Sequence, residues 1–128
     1  LREEIPVKKY ESAMSKYSVY QIHLNESDSE LLSKSGGWGE AASVSPKIKA
    51  YLDKDGSPQE AFNSGFYVRV ADIEASDLED VFKIGNIGPE ESIKRYGRMH
   101  SVSVGDVIKD ESGSYFAVSG EGFVEVFV

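Results

Sequence analysis

The clearest pattern of apolar and polar positions lies at the C-terminal end of the chain, from Met99 to Val128. Val102 and Val104 alternate with Ser101 and Ser103, the period of a half-buried strand. The alternation slips by one residue at Gly105-Asp106 before Val107 and Ile108, and a glycine at such a slip predicts a bulge or sharp bend. Asp110-Glu111-Ser112-Gly113 supplies turn residues, and Ser114 to Val118 returns as a second strand. Ser119-Gly120-Glu121-Gly122 turns again, and Phe123 to Val128 forms a third strand. Three strands on short loops predict an antiparallel meander.

Upstream, Tyr17 to Leu24 carries apolar residues on both faces, which predicts a strand inside a sheet, covered on both sides. Phe66 to Val70 reads as another. Helix starts punctuate the rest. Ser27 and Glu30 have capping-box spacing before Leu31, Leu32 and Lys34, with a stop at Gly36. Ser45-Pro46 opens a helix with Ile48, Tyr51 and Leu52 on one face. Ser57-Pro58 opens a brief one with Ala61 and Phe62. Ser76 and Glu79 form a third capping box, followed by a buried stripe of Leu78, Val81 and Phe82. Gly88-Pro89-Glu90-Glu91 predicts a further short helix, with Ile93 and Tyr96 facing inward and Gly97 as its C-cap. Residues 1–16 read as a frayed arm, or as an edge strand at Ile5-Pro6-Val7. The order predicts an α+β fold: a single domain over 1–128, with a mostly antiparallel sheet of about five strands, a C-terminal three-stranded meander and short helices packed on one face.

Composition sharpens this in three ways. The absence of cysteine removes disulfides and thiolate chemistry, and fits a cytoplasmic protein. No stretch has the length and apolarity of a membrane span, and the first ten residues lack the form of a signal segment. The chain starts at Leu1, so a short stretch before it is expected in the natural product. Net charge is −8, with 10 acids and 8 bases over residues 1–64 against 12 and 6 over 65–128. No basic stripe is visible along the chain. Direct nucleic-acid binding is therefore disfavoured, and a basic partner or simple solubility fits better.

Candidate chemistry is sparse. His23 and His100 are the only histidines, and neither has the spacing of a metal site. The acidic run Asp72, Glu74, Asp77, Glu79 and Asp80 does not match a calcium loop. Gly36-Gly37-Trp38-Gly39 is not followed by the Lys-Ser or Lys-Thr of a phosphate loop. No catalytic residue, metal or cofactor is expected. Contact residues are easier to nominate. Trp38 in its glycine-rich loop either covers the core or anchors a partner, and Arg95, Arg98 and His100 cluster around Tyr96 and Met99. The nominated surface is Trp38, Tyr96, Arg98, Met99 and His100.

The same C-terminal stretch carries a family resemblance. Tyr96-Gly97-Arg98-Met99-His100-Ser101-Val102-Ser103-Val104-Gly105-Asp106-Val107-Ile108, followed by an aromatic strand and Gly122-Phe123, resembles the C-terminal signature of the YodL-type domains of phages, plasmids and conjugative elements. Tyr17-Ser18-Val19-Tyr20-Gln21 is similar to the family's N-terminal strand. Ile84-Gly85-Asn86-Ile87-Gly88-Pro89-Glu90-Glu91 resembles uncharacterised proteins of tailed phages. The resemblance covers residues 65–128 and implies context without an activity. It points to a small phage or mobile-element accessory protein in the host cytoplasm, acting as a non-enzymatic protein-binding module. One alternative is an acidic nucleic-acid mimic that occupies a host DNA-binding protein. Another is a small metal-dependent hydrolase, which requires His100 within reach of a carboxylate. The Phe123 to Val128 strand, at a sheet edge, offers a route to a homodimer.

Overall fold

The computed structural model describes residues 14–53 and 58–127. Among them, six strands form one antiparallel sheet in the order β3-β2-β1-β4-β5-β6. The strands are β1 Ser15–Ile22, β2 Tyr67–Ala75, β3 Ile93–Arg95, β4 Val107–Lys109, β5 Tyr115–Ser119 and β6 Gly122–Val126. The helices are α1 Glu26–Lys34, α2 Trp38–Val44, α3 Pro46–Leu52, α4 Pro58–Asn63 and α5 Leu78–Ile87, and a 3₁₀ turn spans Glu90–Ser92. The α+β class and the C-terminal meander are as expected, with one strand more than anticipated. The extra strand is β3, where the sequence pattern predicts a helix. Ile93 pairs with Ile73, and the Tyr96 N–H continues the ladder to the Val70 carbonyl at 2.8 Å. Gly97 therefore caps no helix.

β1 is the hinge of the topology, pairing with β2 on one side and β4 on the other. It begins at Ser15, so the last residues of the expected N-terminal arm belong to the sheet. The candidate strand at Ile5-Pro6-Val7 lies outside the described residues. Side chains alternate across β1, and both faces are filled, as its two-sided apolar pattern predicts. Tyr17 and Val19 join Ala71, Ile73, Ile108 and Val118 under Val81 and Ile84 of α5. On the opposite face, Tyr20, Tyr67 and Tyr115 gather with Val107, Ala117 and Val126 around Phe62 of α4. The helices thus lie on both faces, not on one. Within α5 the buried stripe is Val81 and Ile84, while Phe82 is exposed, because Ile84 continues the i, i+3 line that Phe82 leaves.

Caps form close to their expected positions. The Ser45 side chain accepts from the Ile48 N–H, with Pro46 in the first turn of α3. At α1 the capping box is Asn25 with Asp28, two residues before the expected pair. At α5 the cap is Asp77, whose side chain accepts from the Asp80 N–H, one residue after Ser76. Asn and Asp cap as well as Ser, so the register of the buried helix face decides between neighbouring candidates.

The stretch 101–108 is the largest departure from pattern. Only Val107 and Ile108 enter a strand, and Ser101 to Asp106 is an irregular, tightly held loop. Gly105 makes the bend at φ +95°, a region closed to most L-residues. Val102 is buried against α5, where Gly85 leaves room for it: a Cβ at Gly85 would stand 2.3 Å from the Val102 Cγ2. Asn86 then donates to the Val102 carbonyl at 2.9 Å. Two stretches that carry the family resemblance are therefore packed on each other.

Candidate binding surfaces

Three polar side chains are buried among the described residues: Gln21, Asp72 and Asp106. They organise the two ends of the sheet, and each end holds some of the nominated residues.

At one end, Gln21 of β1 reaches into the 100–106 loop. Its amide donates to the His100 carbonyl at 2.9 Å and to Asp106 Oδ2 at 3.0 Å, and accepts from the His100 N–H at 3.2 Å. The side chain thus does for His100 what a neighbouring strand would do. Asp106 Oδ2 also accepts from the Ser103 N–H at 2.9 Å, and the Tyr67 hydroxyl donates to the Gly105 carbonyl. Burial and the Asp106 charge push the Tyr67 phenol up to about 12. Beside this loop, a cleft of about 310 Å³ opens between α3, α4 and the strand ends, lined by Tyr51, Glu60, Tyr67, His100 and Asp106. Asp53 and Pro58, which flank the undescribed residues 54–57, line it as well. The His100 ring Nδ1 lies 2.8 Å from the Ser101 carbonyl oxygen. Among the described residues no group of three His, Asp or Glu side chains could hold a metal ion.

At the other end, a bulge in β2 builds a charged cluster. Val19 pairs with Ala71 and Tyr20 with Arg69, which leaves Val70 as the extra residue. In a regular strand, residues three apart point to opposite faces. The bulge turns Arg69 to the same face as Asp72 and lets Val70 and Ala71 both enter the core under α5. Asp72 then receives the Arg69 guanidinium through Nε at 3.1 Å and through Nη2, the Tyr96 hydroxyl at 2.6 Å and the Ser18 hydroxyl at 2.8 Å. Burial alone would raise this carboxyl, but the hydrogen bonds from Arg69, Tyr96 and Ser18, with the Arg69 charge, outweigh it and hold the pKa at about 2. Arg69 also lies over the Tyr96 ring, 4.6 Å from its centroid, with Lys94 at 5.5 Å.

The nominated residues therefore do not form one patch. Trp38 starts α2, half-exposed, and stacks on Tyr51 with ring centroids 6.1 Å apart. His100 lines the same cleft as Tyr51. Tyr96 belongs to the Asp72 cluster and is 48% exposed, where the helix prediction turned it inward. Arg98 is exposed beyond β3, and Met99, partly buried, packs against the core. Sequence reading missed Lys16, Arg69, Lys94 and Lys109, which the register brings onto one sheet face. Their separation along the chain hides them, and only strand pairing reveals the grouping.

No helix among the described residues is long and apolar enough to cross a membrane. Comparison of the chain with protein-family models, with curated proteins and with solved structures returns no match, so the YodL-type resemblance stands on its quoted residues alone.

Proposed function

We propose that this chain is a non-enzymatic protein-binding module whose contact surface is the sheet face around Tyr96. One observation carries the reading. An exposed tyrosine is stacked on an arginine, and both are held in place by a buried, ionised Asp72. Tyrosine and arginine supply most of the energy at protein interfaces, and a pre-set geometry lowers the entropy lost on docking. The phage or mobile-element setting, in the cytoplasm of an infected cell, rests on the family resemblance. The nucleic-acid-mimic reading draws on the net charge of −8 and calls for regularly spaced carboxylates on one face, with salt-sensitive capture of a basic protein.

Capture of partners by the immobilised chain tests the reading, with Tyr96→Ala and Trp38→Ala compared at unchanged net charge. Loss of capture with Tyr96→Ala and retention with Trp38→Ala is the expected result. The reverse would move the contact surface to the cleft.

A further inference from the structure

We infer that the sheet face around Ser18 and Asp72 docks an acidic segment of the partner protein. The inference rests on the binding-module reading and gives the partner its chemistry. Strand register sets out the face. Lys94 pairs with Asp72, Asp72 with Ser18, and Ser18 with Lys109, a single row across β3, β2, β1 and β4. The row continues to Tyr115 on β5. Its two lysines stand three strand spacings apart, roughly 14 Å. Lys16 lies two residues along β1 from Ser18 on the same face, and the bulge brings Arg69 in on the other side. Four cations thus surround Ser18 and Asp72.

The acids inside this ring do not cancel it. Asp72 is engaged by Arg69, Tyr96 and Ser18. Glu74 stands opposite Lys16 in register, but no ion pair forms there. Among the described residues, Lys16, Lys94 and Lys109 make no ion pair. Four cations therefore face two acids on a chain of net charge −8. Screening acts over about 8 Å at physiological ionic strength, so a docked segment feels the local sign and little of the distant acidity.

The same observations disfavour a single-stranded nucleic acid. Binding of that kind uses open aromatic faces for base stacking. Here Tyr20 packs edge-on against Tyr115, Tyr115 lies against Phe62, and the Tyr96 ring already carries Arg69. A long polyanion would also run off the basic ring onto acidic surface. A short acidic polypeptide meets neither obstacle.

The test is fluorescence anisotropy with the full chain and a labelled short poly-glutamate peptide, over a salt series, beside an oligo-dT of similar length. The peptide should bind, weaken as salt rises, and lose roughly tenfold in affinity to the triple variant Lys16→Gln, Lys94→Gln, Lys109→Gln. The variant Lys83→Gln, on α5 over the opposite face of the sheet, should bind as the parent does. Absence of peptide binding, or binding indifferent to the triple substitution, would overturn the inference. So would tighter capture of oligo-dT that the triple variant loses, or self-association of the chain that the triple variant abolishes. If peptide binding fails while Tyr96→Ala still removes partner capture, only the acidic chemistry is wrong. If Tyr96→Ala leaves capture intact as well, the binding-module reading falls with it.

Discussion

Asp72 and Asp106 are buried carboxylates at opposite ends of one sheet, and their surroundings differ in kind. Asp106 is held by Gln21 and by the Ser103 N–H, inside a loop that Tyr67 and the buried Val102 tie down. Asp72 is held by the tips of Arg69 and Tyr96, whose bodies stand in solvent. The first arrangement closes a loop, so its polar groups serve stability. The second orients exposed side chains, so its polar groups serve presentation. Burial of a carboxylate alone does not separate these roles. What separates them is where the partners' other atoms lie.

The contrast predicts a ranking of mutational effects. Gln21→Leu should have the largest, because it removes both hydrogen bonds that hold the His100 N–H and carbonyl and one of those to Asp106 Oδ2. A loss of about 2–4 kcal/mol in urea denaturation is expected. Gly85→Ala comes next. The added methyl meets the stiff, buried Val102, and overpacking of this kind costs about 1–3 kcal/mol, offset in part by better helix propensity. Combining it with Val102→Ala should recover part of that loss, since the cavity accepts the methyl.

Asp72 sharpens the other side. Its carboxyl titrates at about 2 in the folded chain against 3.8 unperturbed. A depressed pKa means stability that is present above the unfolded value and is lost as pH falls from about 4 to about 2. The half-exposed Arg69 partner is screened, so on the order of 1–2 kcal/mol should disappear over that window. Asp72→Asn should remove most of this pH dependence while leaving the chain folded at neutral pH. Thermal unfolding at pH 7 and at low pH, for both proteins, measures it. The smallest effect is expected at Lys94. Lys94→Gln should change stability by less than about 0.5 kcal/mol, because no ion pair among the described residues holds this side chain.

How much of this was legible in the chain differs between the same two regions. The meander, the two-sided β1, the Ser45 cap and the bend at Gly105 follow from local pattern and turn chemistry. The 101–108 stretch misleads because Ser-Val alternation looks like a strand wherever backbone partners exist, and here Gln21 and Asn86 side chains take their place. Tyr96 misleads in a similar way. Its spacing from Ile93 fits a helix, and pairing of Ile93 with Ile73 overrides that spacing. The basic face was invisible for a different reason. Lys16, Arg69, Lys94 and Lys109 become neighbours only through register, and Arg69 only through a bulge that nothing local announces.

The Phe123 to Val128 edge, expected to offer a dimer contact, is partly occupied. Both backbone groups of Phe127 are bonded to the Gln59 amide, at 2.6 and 2.8 Å, so α4 guards the last turn of that edge. Val128 lies outside the described residues.

The most direct test of the central claim is an amide chemical-shift map of the full chain titrated with its bound partner or the acidic peptide. The account predicts shifts concentrated at residues 16–20, 69–74, 94–96 and 109, with 38–51 and 100–106 unmoved. Shifts centred on Trp38, Tyr51 and His100, with the Asp72 cluster silent, would contradict it.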